Sequence, residues 1–313
     1  MALNTESFPE ARTSVAISEP FLRLDDCQDL YESFTQAEFN NKALLAFAST
    51  SLDFRQGRSR ENTPWREGEA LSARQKVATI SLANRWGMFR TTYPQKPFDS
   101  LVVLGAHRDS LKQRMKHAVN ILAGQDRKDQ SLVILSCYSP LLAQEGLNGG
   151  TEYDLALNLA EEDFNGNFIA GSYSCWKDLA HDTNQAIGEY AVAAFGELAG
   201  RSAITISGSV PGESVRATTA STLMSLKTLL EPDKSKMLFV TTSLHLLYQR
   251  AQIQKILPNA DFEMAGIGYT GLHDINLKSE DYKYRIILQE VGATIKNILA
   301  SADDMGIRTS ASI

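Results

Sequence analysis

The sequence predicts a three-layer α/β fold built on a mainly parallel sheet. Short apolar runs recur through the later two-thirds of the chain: Leu101 to Leu104, "SLVILS", "SAITISGS", "KMLFVTTS" and "ADFEMAGIG". The first four are each followed by a stretch whose apolar residues recur at helical spacing, as Leu155 and Leu159 do in "TEYDLALNLAEEDF". Two strands that run alike need a crossover, and a helix supplies one, so this alternation implies parallel pairing.

Taken in order, residues 1–20 are rich in Ser, Thr, Glu and Pro with little periodicity and read as a flexible arm. Residues 21–97 read as a helical N-terminal extension. In it Leu30, Phe34, Phe39, Leu44, Leu45 and Phe47 recur at helical intervals, and so do Leu71, Val77, Ile80, Leu82 and Trp86. Residues 98–275 hold the strand–helix units, a Rossmann-like domain. Its first helix opens after Gly105 with Asp109 or Ser110 available as the cap. The segment from about 165 to 200, with "CWKDLAHDTNQAIGEYAVAAFGELAG", is longer than a simple crossover requires and reads as a helical insertion. Residues 276–313 read as a C-terminal helix and tail.

Composition narrows the function. The chain has 313 residues, 43% of them hydrophobic and 22% charged, the balance of a globular protein that buries a core. Its net charge of -6 provides no basic field for a polyanion, so nucleic acid is not an expected partner. Cys27, Cys137 and Cys175 are too few and too scattered for a disulfide framework or a metal clip, which points to a reducing, cytoplasmic compartment. The N-terminus has no basic leader followed by an apolar run, and no stretch of ~18 apolar residues spans a bilayer, so no membrane association is expected.

In an open parallel sheet, ligands bind beyond the carboxyl ends of the strands, where loops and helix N-termini aim N–H groups into a crevice. The four strand-end loops are "GAHRDS", "SCYSPLL", "SGSVPGESVRATT" and "TTSLH". At the first, Gly105 allows close approach of backbone to a ligand, with His107 and Arg108 beside it to meet an anion. At the third, Arg216, Thr218 and Thr219 surround a helix start, where hydroxyls and N–H groups can cradle an anion and the arginine neutralises it. At the fourth stand Thr241, Thr242 and His245, the histidine placed as a general base or as a donor to a ligand phosphate or carboxylate. Glu152 opens the helix after the second strand, where its charge favours the helix dipole. "GIGYTG", Gly266 to Gly271, satisfies GxGxxG, but no helix of the needed periodicity follows it, so neither NAD nor FAD is expected. The chain has no phosphate loop of Walker type, no HExxH, no GxSxG elbow and no Cys–His cluster of zinc spacing, and no metal site is assigned.

The fourth strand end, with Val240, Thr241, Thr242 and His245, resembles the late motif of the YdcF/SanA/ElyC-like family, a bacterial domain of unknown function. That family usually has Ser where Thr242 stands, and its Arg-Ala pair comes two residues earlier than Arg250-Ala251 here. "LVVLGAHRDSLKQRMKHAVNIL", with Arg114 and Ala118, resembles the family's opening strand, glycine and helix. "GGTEYD" resembles its Gly-Gly and acidic helix start, with Glu152 at the acidic place. The third motif keeps Thr218 but lacks the family's asparagines and glutamate. The resemblance covers roughly residues 98–270. It implies a Rossmann-like binder of a nucleotide-like or otherwise anionic small molecule, with S-adenosylmethionine the specific candidate, Glu152 holding a ribose hydroxyl or an amine, and His245 handling the proton.

Three functions stay open on these residues. One is a transferase or hydrolase that uses an S-adenosylmethionine-like ligand, with His245, Glu152 and Arg108 as its catalytic residues. Another is a hydrolase or transferase acting on a phosphate-containing nucleotide or envelope precursor without that ligand. The last is a non-catalytic ligand sensor.

Overall fold

The computed structural model describes residues 24–54, 70–106, 108–127, 129–138, 150–164, 169–174, 187–194, 202–208, 219–230, 234–270 and 280–304. Within them the parallel strands are β1 (Ser100–Val103), β2 (Ser131–Ser136), β5 (Ser202–Ser207), β6 (Met237–Thr242) and β7 (Phe262–Ile267). Two further strands, β3 (Ile169–Ser174) and β4 (Ile187–Ala194), are antiparallel to each other, and β4 is antiparallel to β5. The sheet order is β3-β4-β5-β2-β1-β6-β7. Counted among the parallel strands alone, this is the doubly wound order 3-2-1-4-5, a Rossmann-like α/β fold.

The segment expected as a helical insertion is therefore corrected: its described residues form the β3–β4 pair. Ala191, Ala193 and Ala194 raise the helical propensity of "IGEYAVAA", yet pairing with the ends of β5, Tyr190 against Ile206 and Ala194 against Ser202, sets the local structure. Sheet context overrides a propensity of a few tenths of a kcal/mol per residue, and Ile187, Tyr190 and Val192 suit a strand.

The strands alternate their burial between two helical layers. Leu101, Val103, Leu132, Ile134, Leu238 and Val240 pack on one face against α4 (Arg108–Ala123) and α5 (Glu152–Phe164). Val102, Leu104, Val133, Leu135 and Phe239 pack on the other against α6 (Thr219–Leu230) and α7 (Ser243–Ile256). Each strand is nearly continuous in apolar residues because both of its faces are covered. Helix α4 starts at Arg108, so Asp109 and Ser110 lie inside its first turn and neither is its cap.

Beyond α7 lies a third apolar cluster. Helices α1 (Gln28–Phe34), α2 (Asn41–Thr50) and α3 (Ala73–Arg85) pack there with Leu244 and Leu247 of α7 and with α8 (Glu280–Asp304). Asn40 caps α2, and a reciprocal Ser72–Gln75 pair caps α3. Polar bonds fasten this layer to α8: the Phe54 N–H donates to Gln289 Oε1 at 2.9 Å, and the Leu71 N–H donates to Asp281 Oδ2 at 2.8 Å. Val77 and Leu45, expected on the apolar stripes, are 70% and 38% exposed; Ala78 and Leu82 carry the buried face of α3 instead. Among the described residues no helix is long and apolar enough to cross a membrane.

Candidate functional site

The chain leaves β1 for α4 on one face of the sheet and leaves the adjacent β6 for α7 on the other. Such divergence of neighbouring strands marks the place where doubly wound sheets ordinarily form a ligand crevice, here at the carboxyl ends of β1 and β6. The residue that joins the two sides is Arg114, on the second turn of α4 and 1% exposed. Its Nη1 donates to the carbonyls of Leu104 and Gly105, both at 2.7 Å, and its Nε donates to Thr242 Oγ1 at 3.2 Å. The rigid fork of a guanidinium suits three oxygens contributed by two strand ends.

Gly105 is required by close approach: a Cβ there would stand 2.7 Å from the Leu135 carbonyl oxygen of β2. Thr242 is the N-cap residue of α7, but its side chain makes no capping bond and is engaged by Arg114. Thr241 points to the opposite face, where its hydroxyl donates to Gln249 Oε1 and is fully buried. That contact makes it a packing residue of α7, not a lining residue of the crevice. Arg108 is the first residue of α4, two positions past Ala106 on the same rim.

Glu152 stands at the rim of β2. Thr151 and Asp154 cap α5 reciprocally, which orders the helix start, and the Cys137 thiol donates to Glu152 Oε2 at 3.0 Å. Thr219 is the first residue of α6, after β5. His245 lies in the first turn of α7, with Nδ1 2.8 Å from Glu290 Oε2 of α8. His107, Arg216 and Thr218 lie outside the described residues.

Gly105, Thr242 and Arg108 thus gather where β1 and β6 part, with His245 one turn along α7. Glu152 and Thr219 flank them at the ends of β2 and β5. Two participants were not identified from sequence as site residues. Arg114 carried a signal: it interrupts the apolar stripe of Leu111, Met115, Ala118 and Ile121 on α4, where a charged side chain needs a buried purpose. Glu290 carried a weaker one, because a glutamate in a long amphipathic helix is ordinarily solvated.

The segment from Met88 to Thr92 seals the β7 side of this rim. The Ser243 hydroxyl donates to the Arg90 carbonyl at 2.5 Å, Thr92 N–H to the Gly266 carbonyl at 2.7 Å, and Gly266 N–H to Thr92 Oγ1 at 2.8 Å. A Cβ on Gly266 would strike Ser243 Oγ, and one on Gly268 would strike the Phe89 carbonyl. Two of the three glycines in "GIGYTG" therefore admit this strap, a structural reason for their presence.

A shallow hollow lined by Lys96, Phe98, Lys236, Met237, Asp261 and Glu263 sits at the opposite, amino-terminal end of the strands. In doubly wound sheets ligands ordinarily bind at the other, carboxyl end of the strands. Among the described residues no group of three His, Cys, Asp or Glu side chains is arranged to hold a metal ion. Comparisons with protein-family models, with curated proteins and with solved structures find no match, so the chain's own residues carry the functional reading.

Proposed function

We propose that this protein is a YdcF-like enzyme of the cytoplasm whose crevice between β1 and β6 takes a nucleotide-like, anionic small molecule. S-adenosylmethionine is the specific candidate, and the reaction is group transfer or hydrolysis. The observation that carries the reading is the Arg114 fork, which holds a positive charge under the crevice through Leu104, Gly105 and Thr242. Charge fixed in a partly dry site acts on an anionic or polarised ligand without reorganising, which is the cheapest form of electrostatic stabilisation. Arg108 adds a second cation at the start of α4, and Thr242 and His245 keep the spacing of the family's late motif. Cys27 and Cys137 are buried as thiols and form no disulfide among the described residues, which suits a reducing compartment.

Thermal unfolding in the presence of ligand tests the proposal. A ligand at 100 times its dissociation constant adds about 2.7 kcal/mol, several degrees in melting temperature for a chain of this size. Stabilisation by S-adenosylmethionine and S-adenosylhomocysteine, lost in Arg108→Ala, is the expected result. Stabilisation by nucleoside phosphates alone would replace it with the second reading, a hydrolase or transferase acting on a phosphate-containing nucleotide or envelope precursor. That reading is favoured by Arg108 at a helix N-terminus, a place suited to phosphate. Binding without turnover of any substrate, unaltered by His245→Ala, would favour a ligand sensor.

A further inference from the structure

His245 is the third residue of α7, about 4.5 Å along the helix axis from Thr242, and its side chain is 32% exposed. Its Nδ1 lies 2.8 Å from Oε2 of Glu290, whose side chain is 11% exposed. Glu290 belongs to the inward face of α8, beside Ile287, Val291 and Thr294, each 0% exposed. A carboxylate at such a place has surrendered much of its hydration and favours a strong donor in exchange. No other carboxylate among the described residues lies within 4.0 Å of the imidazole nitrogens.

An ionised carboxylate only accepts hydrogen bonds, so the hydrogen in this contact sits on Nδ1. A neutral imidazole carries a single N–H, which leaves the lone pair on Nε2. We infer that Glu290 is a positioning residue that fixes His245 in the Nδ1–H form and makes Nε2 the proton acceptor of the crevice. Use of that acceptor on a crevice ligand rests on the function proposed above; the dyad itself stands on its own geometry. In the step, the attacking O–H or N–H gives its proton to Nε2, and the freed electron pair forms the new bond to the transferred group. The old bond breaks with its pair on the leaving group. The imidazolium, now N–H on both sides, is stabilised by Glu290 until it returns the proton to the leaving group or to solvent.

A plain ion pair between α7 and α8 behaves differently. It needs the imidazolium, and once the ring is neutral it releases His245 to the Nε2–H form that free imidazole side chains prefer. The distinction is visible in two-bond proton–nitrogen correlation spectra of the full-length protein labelled with nitrogen-15 in histidine, at about pH 9, above the ordinary imidazole range. His245→Gln identifies the signals among the five histidines. The expected spectrum shows Nδ1 protonated and Nε2 bare. Glu290→Gln retains it, because the amide oxygen accepts the same bond, and Glu290→Leu reverts to Nε2–H. A neutral wild-type His245 in the Nε2–H form overturns the inference, even if Glu290→Leu fails to fold. Retention of Nδ1–H in a folded Glu290→Leu protein also overturns it. No ligand is present, so failure to bind S-adenosylmethionine would sink the crevice proposal and leave this one standing, and the reverse holds equally.

Discussion

Arg114 and Thr242 meet across the join between β1 and β6, the guanidinium Nε donating to the threonine hydroxyl at 3.2 Å while Nη1 holds the Leu104 and Gly105 carbonyls. One side chain from α4 thus secures two strand ends whose following helices lie on opposite faces. Arg114→Met leaves those carbonyls without this donor and should cost about 2–4 kcal/mol in urea unfolding. Arg114→Lys should recover only part of the loss, since an ammonium lacks the planar fork. Thr242→Val removes one acceptor and should cost about 1 kcal/mol. A double-mutant cycle with Arg114→Met should be non-additive, because the two substitutions remove the same bond.

Gly105 allows β1 to turn past the end of β2. Gly105→Ala puts a methyl group 2.7 Å from the Leu135 carbonyl oxygen, a backbone atom that cannot rotate away. The expected cost is about 1–3 kcal/mol. Gly268→Ala meets the Phe89 carbonyl and should loosen the strap, which hydrogen exchange reads as faster exchange at Tyr269 N–H, now bonded to the Met88 carbonyl at 2.9 Å.

Asp281 ties α8 to the start of α3. Lys76 Nζ at 2.7 Å is the larger cause of its depressed pKa, with the Leu71 N–H adding to it. A carboxyl whose pKa is lower folded than unfolded contributes stability that is present above the unfolded value of 3.8 and is lost as pH falls through the folded one. The acid limb of the wild-type stability curve should therefore be steeper than that of Asp281→Asn. At neutral pH, Asp281→Ala should cost about 1–2 kcal/mol.

Burial in the helical layer pushes the Cys27 thiol above its ordinary range, with Asp26 reinforcing the effect. The group holds its proton more tightly folded than unfolded. Its contribution is complete below the unfolded value of 9.0 and declines as pH rises from there toward the folded one. A disulfide reagent at neutral pH should label Cys27 only as fast as the helical layer opens, and Cys27→Ala should flatten the alkaline limb of the stability curve.

The parallel core was legible because a strand covered on both faces must be apolar throughout, as Leu132 to Leu135 and Met237 to Val240 are. The rim was legible in outline, since loop chemistry at Gly105, Arg108, Thr242 and His245 is local information. What was hidden depends on distant partners. The β3–β4 pair takes its conformation from hydrogen bonds to β5, and Glu290 acquires meaning only when α8 packs on α7, forty-five residues from His245. Thr241 was misread for a simpler reason: alternation along β6 turns it away from Thr242, toward Gln249.

The helical layer unites chain segments more than two hundred residues apart, as Phe54 with Gln289 and Leu71 with Asp281 attest. During synthesis, Leu30, Leu44 and Phe47 leave the ribosome long before α8 exists to cover them, and the strap from Met88 to Thr92 must wait for Gly266 and Gly268. Until α8 has been made, those side chains remain uncovered, a natural target for chaperones that hold nascent polypeptides, and the emergence of α8 is the moment at which that layer can close.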